Sequence, residues 1–238
     1  MRFYRSLNPI QAMTFDLDDT LYDNHPVIRR LERDLRVWLN QRFPLLQKYT
    51  ESDWHAWKRQ ALQHNELCRH DVTLARETQL AFAFDEIGLA KPSQAEAVKL
   101  TMHQVAILRN RVEIPEATFN TLDKLVRRLP LLAITNGNVD LQRIGLQDYF
   151  IDTLKAGPNG AAKPHPDMFA QATSILDVPA SSILHVGDHL YSDVLGAKNA
   201  GLQAAWLNNS ALGIESFSQG KILPDVEFTA IEQLLYFV

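Results

Sequence analysis

The chain has 238 residues, a net charge of −4 and one cysteine. That length suits one sizeable domain, or a core with a smaller companion. The acidic balance argues against nucleic acid or an anionic membrane surface as partner, and Cys68 alone excludes an intrachain disulfide and fits a reducing cytoplasm.

The N-terminus does not read as a signal peptide, because Asn8, Pro9, Gln11 and Asp16 interrupt any apolar stretch. No segment approaches the ~20 apolar residues of a membrane span. The run from Ile10 to Phe15 reads as a buried β-strand, and it closes on Asp16-Leu17-Asp18-Asp19-Thr20. From about Asp23 to Asn110 the pattern is helical. Ile28, Leu31, Leu35 and Trp38 recur at spacings of three and four, as do Leu80, Phe84 and Ile87, and Ala95, Val98, Met102 and Val105. Pro115 opens a further helix with Phe119, Leu122, Val126 and Leu129 inward. Strand and helix then alternate: strand 131–135, helix 138–146, a weaker strand near 151–155, helix 166–176, strand 183–187, helix 192–200 and strand 203–207. A short strand at 226–228 and a helix to Leu235 finish the chain.

An all-helical insert of roughly 90 residues inside an α/β pattern reads as a second domain rather than a loop. The expected fold is therefore a doubly wound, Rossmann-like parallel-sheet core made of 1–21 and 115–238. An inserted helical domain occupies 22–114, with joints near Leu21–Asn24 and Arg111–Pro115.

Polar groups follow the predicted strands. Asp16 and Asp18 follow the first, Thr135 and Asn136 the second, and Gly187-Asp188 with Asp193 the strand at 183–187. Lys163-Pro164 precedes a predicted helix. Strand ends of a doubly wound sheet converge on one edge, where ligands bind. Two carboxylates at a buried strand end are costly unless paired or bound to a metal. The set fits phosphoryl transfer through an aspartyl-phosphate with a bound Mg²⁺. Taken singly, each has a plainer reading. Asp16 to Asp19 also fits a helix-capping turn, Asp193 an N-cap, and Lys163 a surface lysine. His185 reads as a core histidine and His189 as a loop residue. Arg29, Arg30, Arg33 and Arg36 read as a solvated helix face. Trp54 and Trp57 fit either packing in the insert or stacking on an aromatic substrate.

Four ordered motifs, Asp16-x-Asp18-x-Thr20, Thr135, Lys163 and Gly187-Asp188-x-x-x-x-Asp193, resemble those of haloacid-dehalogenase-superfamily phosphatases over nearly the whole chain. The resemblance implies a phosphomonoester hydrolase with the helical insert as a cap. It implies Asp16 as nucleophile, Asp18 as general acid–base, and Lys163 holding the nucleophile and a phosphate oxygen. Thr135 and Asn136 would bind phosphate. Mg²⁺ would be held by Asp16, the backbone carbonyl of Asp18, and Asp188, with Asp193 a direct or outer ligand. The chain looks close to enterobacterial members acting on flavin mononucleotide and 5-amino-6-(5-phospho-D-ribitylamino)uracil. Sugar-phosphate or nucleotide phosphatases, phosphosugar mutases, haloacid dehalogenases and a non-enzymatic phospho-switch are the alternatives. The expected partner is a small phosphate ester, and the expected state a cytoplasmic monomer or weak homodimer.

Overall fold

The computed structural model describes residues 1–210, 212–217 and 222–238. Two compact units emerge. An α/β unit comprises Met1–Asp23, Glu113–Gly137 and Leu141–Val238; a helical unit comprises Asn24–Val112 and Asn138–Asp140. Among the described residues no helix is long and apolar enough to cross a membrane.

The α/β unit is built on seven strands: β1 (Arg2–Phe3), β2 (Ala12–Phe15), β3 (Leu131–Thr135), β4 (Thr153–Lys155), β5 (Ile183–Gly187), β6 (Gln203–Leu207) and β7 (Val226–Phe228). Their order across the sheet is β1-β7-β6-β5-β2-β3-β4. Every pair is parallel except β1 with β7. Every residue of β2, β3, β5 and β6 is buried, as expected of a parallel sheet covered on both faces. The chain runs outward one way from β2 through β3 and β4, and the other way through β5, β6 and β7. The sheet therefore has its topological switch point at β2. Register sets the chemistry at that point. Phe15 lies level with Ala133 on one side and Val186 on the other, so the residues just beyond them emerge at one edge.

Helix α6 (Asp167–Leu176) buries Met168, Phe169 and Ala172 in the cluster that holds Leu132, Ile134 and Leu154. Helix α5 (Glu116–Leu125) buries Thr118, Thr121, Leu122 and Leu125. The expected inward stripe of Phe119, Leu122, Val126 and Leu129 holds only in part, since Val126 is exposed. The buried threonines decide the face, because the Thr118 hydroxyl donates to the Leu21 carbonyl at 2.9 Å.

Three other expectations are corrected. Residues 138–146 form turns rather than a helix. The buried positions Val139, Leu141, Ile144 and Leu146 do not keep helical spacing, and Gly145 adopts φ 76°. The helix expected over 192–200 begins earlier, as a π-helical turn Leu190–Leu195 that passes into α7 (Gly196–Asn199). Its cap is His189, whose Nδ1 accepts from the backbone N–H groups of Tyr191 and Ser192. The C-terminal segment Ile231–Phe237 is a 3₁₀ helix rather than an α-helix.

The helical unit comprises α1 (His25–Arg42), α2 (Glu51–His64), α3 (Val72–Glu86) and α4 (Lys91–Arg109). In α1 the inward row is Val27, Leu31, Leu35 and Leu39, an i, i+4 ridge that leaves Ile28 exposed. In α4, Gln94, Ala97, Thr101, Val105 and Leu108 point inward, so Ala95 does not. A capping box opens α2, with Asp53 accepting from the Thr50 backbone N–H at 2.7 Å.

Candidate active site

The site grows from the carboxyl edge of β2, β3 and β5. Asp16 follows β2 and is 7% exposed; Lys163 and Asp193 are 4% and 2% exposed. Lys163 Nζ lies 2.6 Å from Asp16 Oδ1 and 2.7 Å from Asp193 Oδ1. The same ammonium donates to the Ile134 carbonyl at 2.7 Å. All three of its protons therefore have acceptors, which fixes the group in place. The Asn136 side chain grips the backbone of Lys163 from both sides. Its Oδ1 accepts the Lys163 N–H at 2.7 Å and its Nδ2 donates to the Lys163 carbonyl at 3.0 Å.

Thr20 Oγ1 lies 3.2 Å from Asp16 Oδ2 and 3.3 Å from Asp188 Oδ1, so its one proton can be given to either carboxylate. Tyr22, four residues beyond Asp18, donates to its Oδ1 at 2.6 Å. Asp19 adopts φ 60°, a left-handed conformation that aspartate tolerates better than most residues. Its carbonyl accepts from Asn209 Nδ2 at 2.7 Å. Thr135 is fully buried, and its Oγ1 accepts the Gly137 N–H at 2.9 Å. The Asp188 carbonyl is held by Trp206 Nε1 at 2.7 Å.

Asp193 sits inside the π-helical turn and not at a helix cap. Its Oδ2 accepts the His189 N–H at 3.0 Å, and its Oδ1 lies 3.3 Å from His185 Nε2. His185 is a core residue, with Nδ1 2.8 Å from Thr14 Oγ1 and its ring edge-on to Phe169. Gly187 is required here, since a Cβ would collide with the Asp193 carboxylate. The sequence marks His185 as buried but gives no sign that it meets Asp193. The tie depends on the wider π turn, a device common at functional sites. Tyr22 and the Asn136 clamp also escape a reading of the sequence; the i, i+4 spacing of Asp18 and Tyr22 is the one signal that could find the first.

Charge at this edge is unbalanced. Asp16, Asp188 and Asp193 place carboxylate oxygens within 4.8 Å of one another, answered by the single ammonium of Lys163. Burial pushes Asp16 well above the ordinary carboxylate value, Asp193 and Asp188 add to the shift, and Lys163 opposes it. Asp188 is pushed up to about 7 by burial first, then by Asp193 and Asp19. Burial also penalises the charge on Asp193, yet Lys163 and the His185 contact hold this carboxyl below the usual range. Burial works against the Lys163 charge as well, but Asp16 and Asp193 outweigh it. Fully ionised, the three carboxyls would leave two charges unanswered by the one cation, and burial together with that repulsion raises Asp16 and Asp188. A divalent ion on hard oxygen ligands would cancel them, so the donor set fits such an ion.

The tryptophans belong elsewhere. Trp54 and Trp57 are 5% and 8% exposed and join the leucine cluster of the helical unit, their ring centroids 5.1 Å apart and edge-on.

A parallel sheet carrying an aspartate, a buried lysine and further carboxylates at its switch point places a polar, ionisable cluster where α/β folds bind their ligands. Residues 10–201 match the haloacid dehalogenase-like hydrolase family, and the chain belongs to that family. It is 38% identical over 98% of both chains to the 5-amino-6-(5-phospho-D-ribitylamino)uracil phosphatase YigB of Escherichia coli K12. It is 29% identical to the phosphoserine phosphatase of Thermus thermophilus, over 84% of this chain and 89% of the relative. Among solved structures, the 2-haloacid dehalogenase from Pseudomonas syringae pv. Tomato DC3000 superposes with a TM-score of 0.90. It is 32% identical, over 96% of this chain and 97% of that one. The protein is thus an enzyme of a hydrolase family whose named full-length relatives include phosphatases.

Proposed function

We propose that the protein is a Mg²⁺-dependent phosphomonoesterase acting through an aspartyl-phosphate on Asp16. The observation that carries this reading is the buried cluster of three carboxylates around one lysine, with a fourth carboxylate, Asp18, held separately by Tyr22. Asp16 attacks phosphorus, forming a P–O bond as the bond to the leaving alcohol breaks. Asp18 gives its proton to the departing alkoxide. Water then attacks the phosphorus, Asp18 takes its proton, and the bond to Asp16 breaks to release inorganic phosphate and free carboxylate. Lys163 lowers the repulsion between the nucleophile and the anionic phosphoryl group. Thr135 and the backbone N–H of Asn136 are assigned to phosphate oxygens.

Mg²⁺ would be held by Asp16, the Asp18 carbonyl and Asp188, and would supply charge stabilisation to the phosphoryl oxygens. Asp193, already engaged by Lys163, His185 and the His189 N–H, is assigned to holding Lys163 and to the outer shell of the ion.

The groups of the α/β unit read only the phosphoryl group, common to every monoester. Discrimination among monoesters is therefore assigned to the helical unit as a cap. The 38% identity to YigB supports 5-amino-6-(5-phospho-D-ribitylamino)uracil, with flavin mononucleotide as a related candidate. The likeness to a dehalogenase structure makes 2-haloacids the control substrate. Purified protein with Mg²⁺ is to be assayed against a panel of phosphorylated metabolites and against 2-chloropropionate. Release of phosphate without release of chloride is expected; chloride release alone would overturn the assignment.

A further inference from the structure

A second concave site lies wholly within the helical unit. Helices α1, α2 and α3 enclose a cavity of about 570 Å³, inside the ~300–1,000 Å³ range of small-ligand pockets. Its walls carry Arg29, Arg33 and Arg36 from α1, Lys58 from α2 and Arg76 from α3, against the two carboxylates of Glu32 and Glu51. In a chain of net charge −4, five cations facing one cavity with two anions is a local reversal of sign. The spacing explains it: residues 29, 33 and 36 fall on one face of α1.

The carboxylates answer the cations only in part, Glu32 being shared by Arg76, Lys58 and Arg36. Arg76 grips Glu32 with both terminal nitrogens, Nη1 lying 3.1 Å from Oε2. Glu51 is turned to solvent, its side chain 83% exposed and 3.9 Å from His55. Arg33 leans on Asp34 at 2.9 Å. Arg36 lies over the Trp54 ring at 4.7 Å from its centroid, which orients the guanidinium without consuming its charge. Trp54 also lines the cavity, and its indole Nε1 is buried without an acceptor. Among the described residues, Arg29, Arg36 and Lys58 meet no carboxylate within ion-pair distance.

We propose that this cavity binds a compact oligophosphate, a pyrophosphate or the phosphate chain of a nucleoside di- or triphosphate, as a site separate from the carboxylate cluster. Guanidinium forks match phosphate oxygens in geometry as well as charge, and three such groups on one helix face suit a ligand with several adjacent anionic oxygens. A single monoester phosphate would leave most of them unanswered. Arg36 already lies over the Trp54 ring, which is 5% exposed, so recognition rests on the phosphates and not on stacking of a base.

Calorimetric titration of the full chain in EDTA, with pyrophosphate, ATP and adenosine in turn, tests this. Pyrophosphate and ATP are expected to bind saturably, adenosine not at all, and the affinity to weaken as salt rises. Equal affinity for pyrophosphate and ATP assigns the phosphates alone; tighter ATP assigns a nucleotide as the source. In Arg33→Glu with Lys58→Glu the affinity for both is expected to fall about tenfold or more. Arg33 is 71% exposed, so an unchanged melting temperature is expected; Arg29→Glu alone gives the same direction of loss if the pair melts early. Undiminished affinity in the charge-reversed chains, binding of adenosine, or no binding of pyrophosphate or ATP at millimolar concentration would overturn the proposal. None of these readings depends on hydrolysis at Asp16.

Discussion

The two units of this protein handle charge in opposite ways. In the α/β unit, Asp16, Lys163 and Asp193 are almost fully buried and in contact, with carboxylates in excess. In the helical unit most charged groups line a cavity or face solvent, Arg109 being buried, and cations exceed anions around the cavity. Buried charge is costly unless paired, and the α/β unit gathers most of it at the sheet switch point, with buried Asp225 paired to Lys198 elsewhere. The helical unit fills its interior chiefly with leucines and tryptophans and leaves most of its charge at the rim, the buried Arg109 apart. The first pattern suits bond-making, where fixed groups must act on developing charge. The second suits recognition of an anion whose own charges complete the site.

Removing the nucleophile or the counter-charge in the α/β unit gives the largest expected effects. Asp16→Asn keeps the shape but lacks the attacking anion, and turnover is expected to fall at least about a thousandfold with the melting temperature preserved or raised. Activity within about tenfold of wild type would remove Asp16 from the nucleophile role. EDTA is expected to abolish phosphate release and Mg²⁺ to restore it, while Ca²⁺, with its larger and looser shell, substitutes poorly. Full turnover in metal-free buffer would mean that Lys163 alone balances the carboxylates.

The next effect lies in the helical unit and has a different readout. Trp57→Ala removes a ring packed edge-on to Trp54 and Tyr49. It is expected to cost about 3–5 kcal/mol of stability. The ratio of flavin mononucleotide turnover to sugar-phosphate turnover should stay the same. A selective loss on the flavin would instead place the ring against ligand, and would make the helical interior part of the recognition surface.

These contrasts also explain what is legible in the sequence. Strands 131–135 and 183–187 are legible because both are apolar runs that end on small or polar residues. The convergence of Asp16, Thr135, Lys163 and Asp188 then follows from strand register. Segment 138–146 reads falsely as a helix because its first residues are held by long-range hydrogen bonds and the rest by turns. Asn138 bonds Thr73, 65 residues away, and the Asp140 N–H bonds Asn110, 30 residues away. No local pattern encodes those partners. Leu31, Leu35, Leu80, Phe84 and Val105 are buried as expected, and the first positions of two faces are off by one, Val27 for Ile28 and Gln94 for Ala95. In α4 the inward row is half polar: Gln94 Nε2 donates to the Ala81 carbonyl at 2.6 Å and Thr101 to Ala97 at 2.7 Å. The cavity in the helical unit is hidden for a related reason: Arg29, Arg33 and Arg36 read as a solvated face, and Arg29 and Arg33 are indeed exposed, but the sequence does not reveal that Lys58 of α2 and Arg76 of α3 line the same hollow.

A smaller effect tests the support of the buried lysine. Asn136→Ala leaves the Lys163 N–H and carbonyl without their side-chain partners. An unsatisfied buried backbone group costs about 1–3 kcal/mol. A lowered melting temperature together with reduced kcat is expected. Lost stability with unchanged kcat would show that Lys163 is held by Asp16, Asp193 and Ile134 alone.

The smallest expected effect sharpens the comparison most directly, because its sign differs between the units. Burial opposes the charge on Glu32, but the Arg76 hydrogen bond and charge, with Lys58 and Arg36, hold its carboxyl below the ordinary value. A carboxyl with a depressed folded-state pKa adds stability that is fully present above its unfolded value, about 4.5, and is lost as pH falls through the lower folded one. Glu32 is half exposed, so solvent screening limits the contribution to about 1 kcal/mol at most. The melting-temperature gap between wild type and Glu32→Gln is expected to be open near pH 7 and to close toward pH 3. A gap independent of pH would assign the loss to packing of the longer side chains. The same substitution removes one of the two carboxylates lining the cavity and frees Arg76, so oligophosphate affinity is expected to rise several-fold at pH 7. Loss of a carboxylate in the α/β unit is expected to destroy turnover, whereas loss of Glu32 in the helical unit is expected to improve binding of an outside anion.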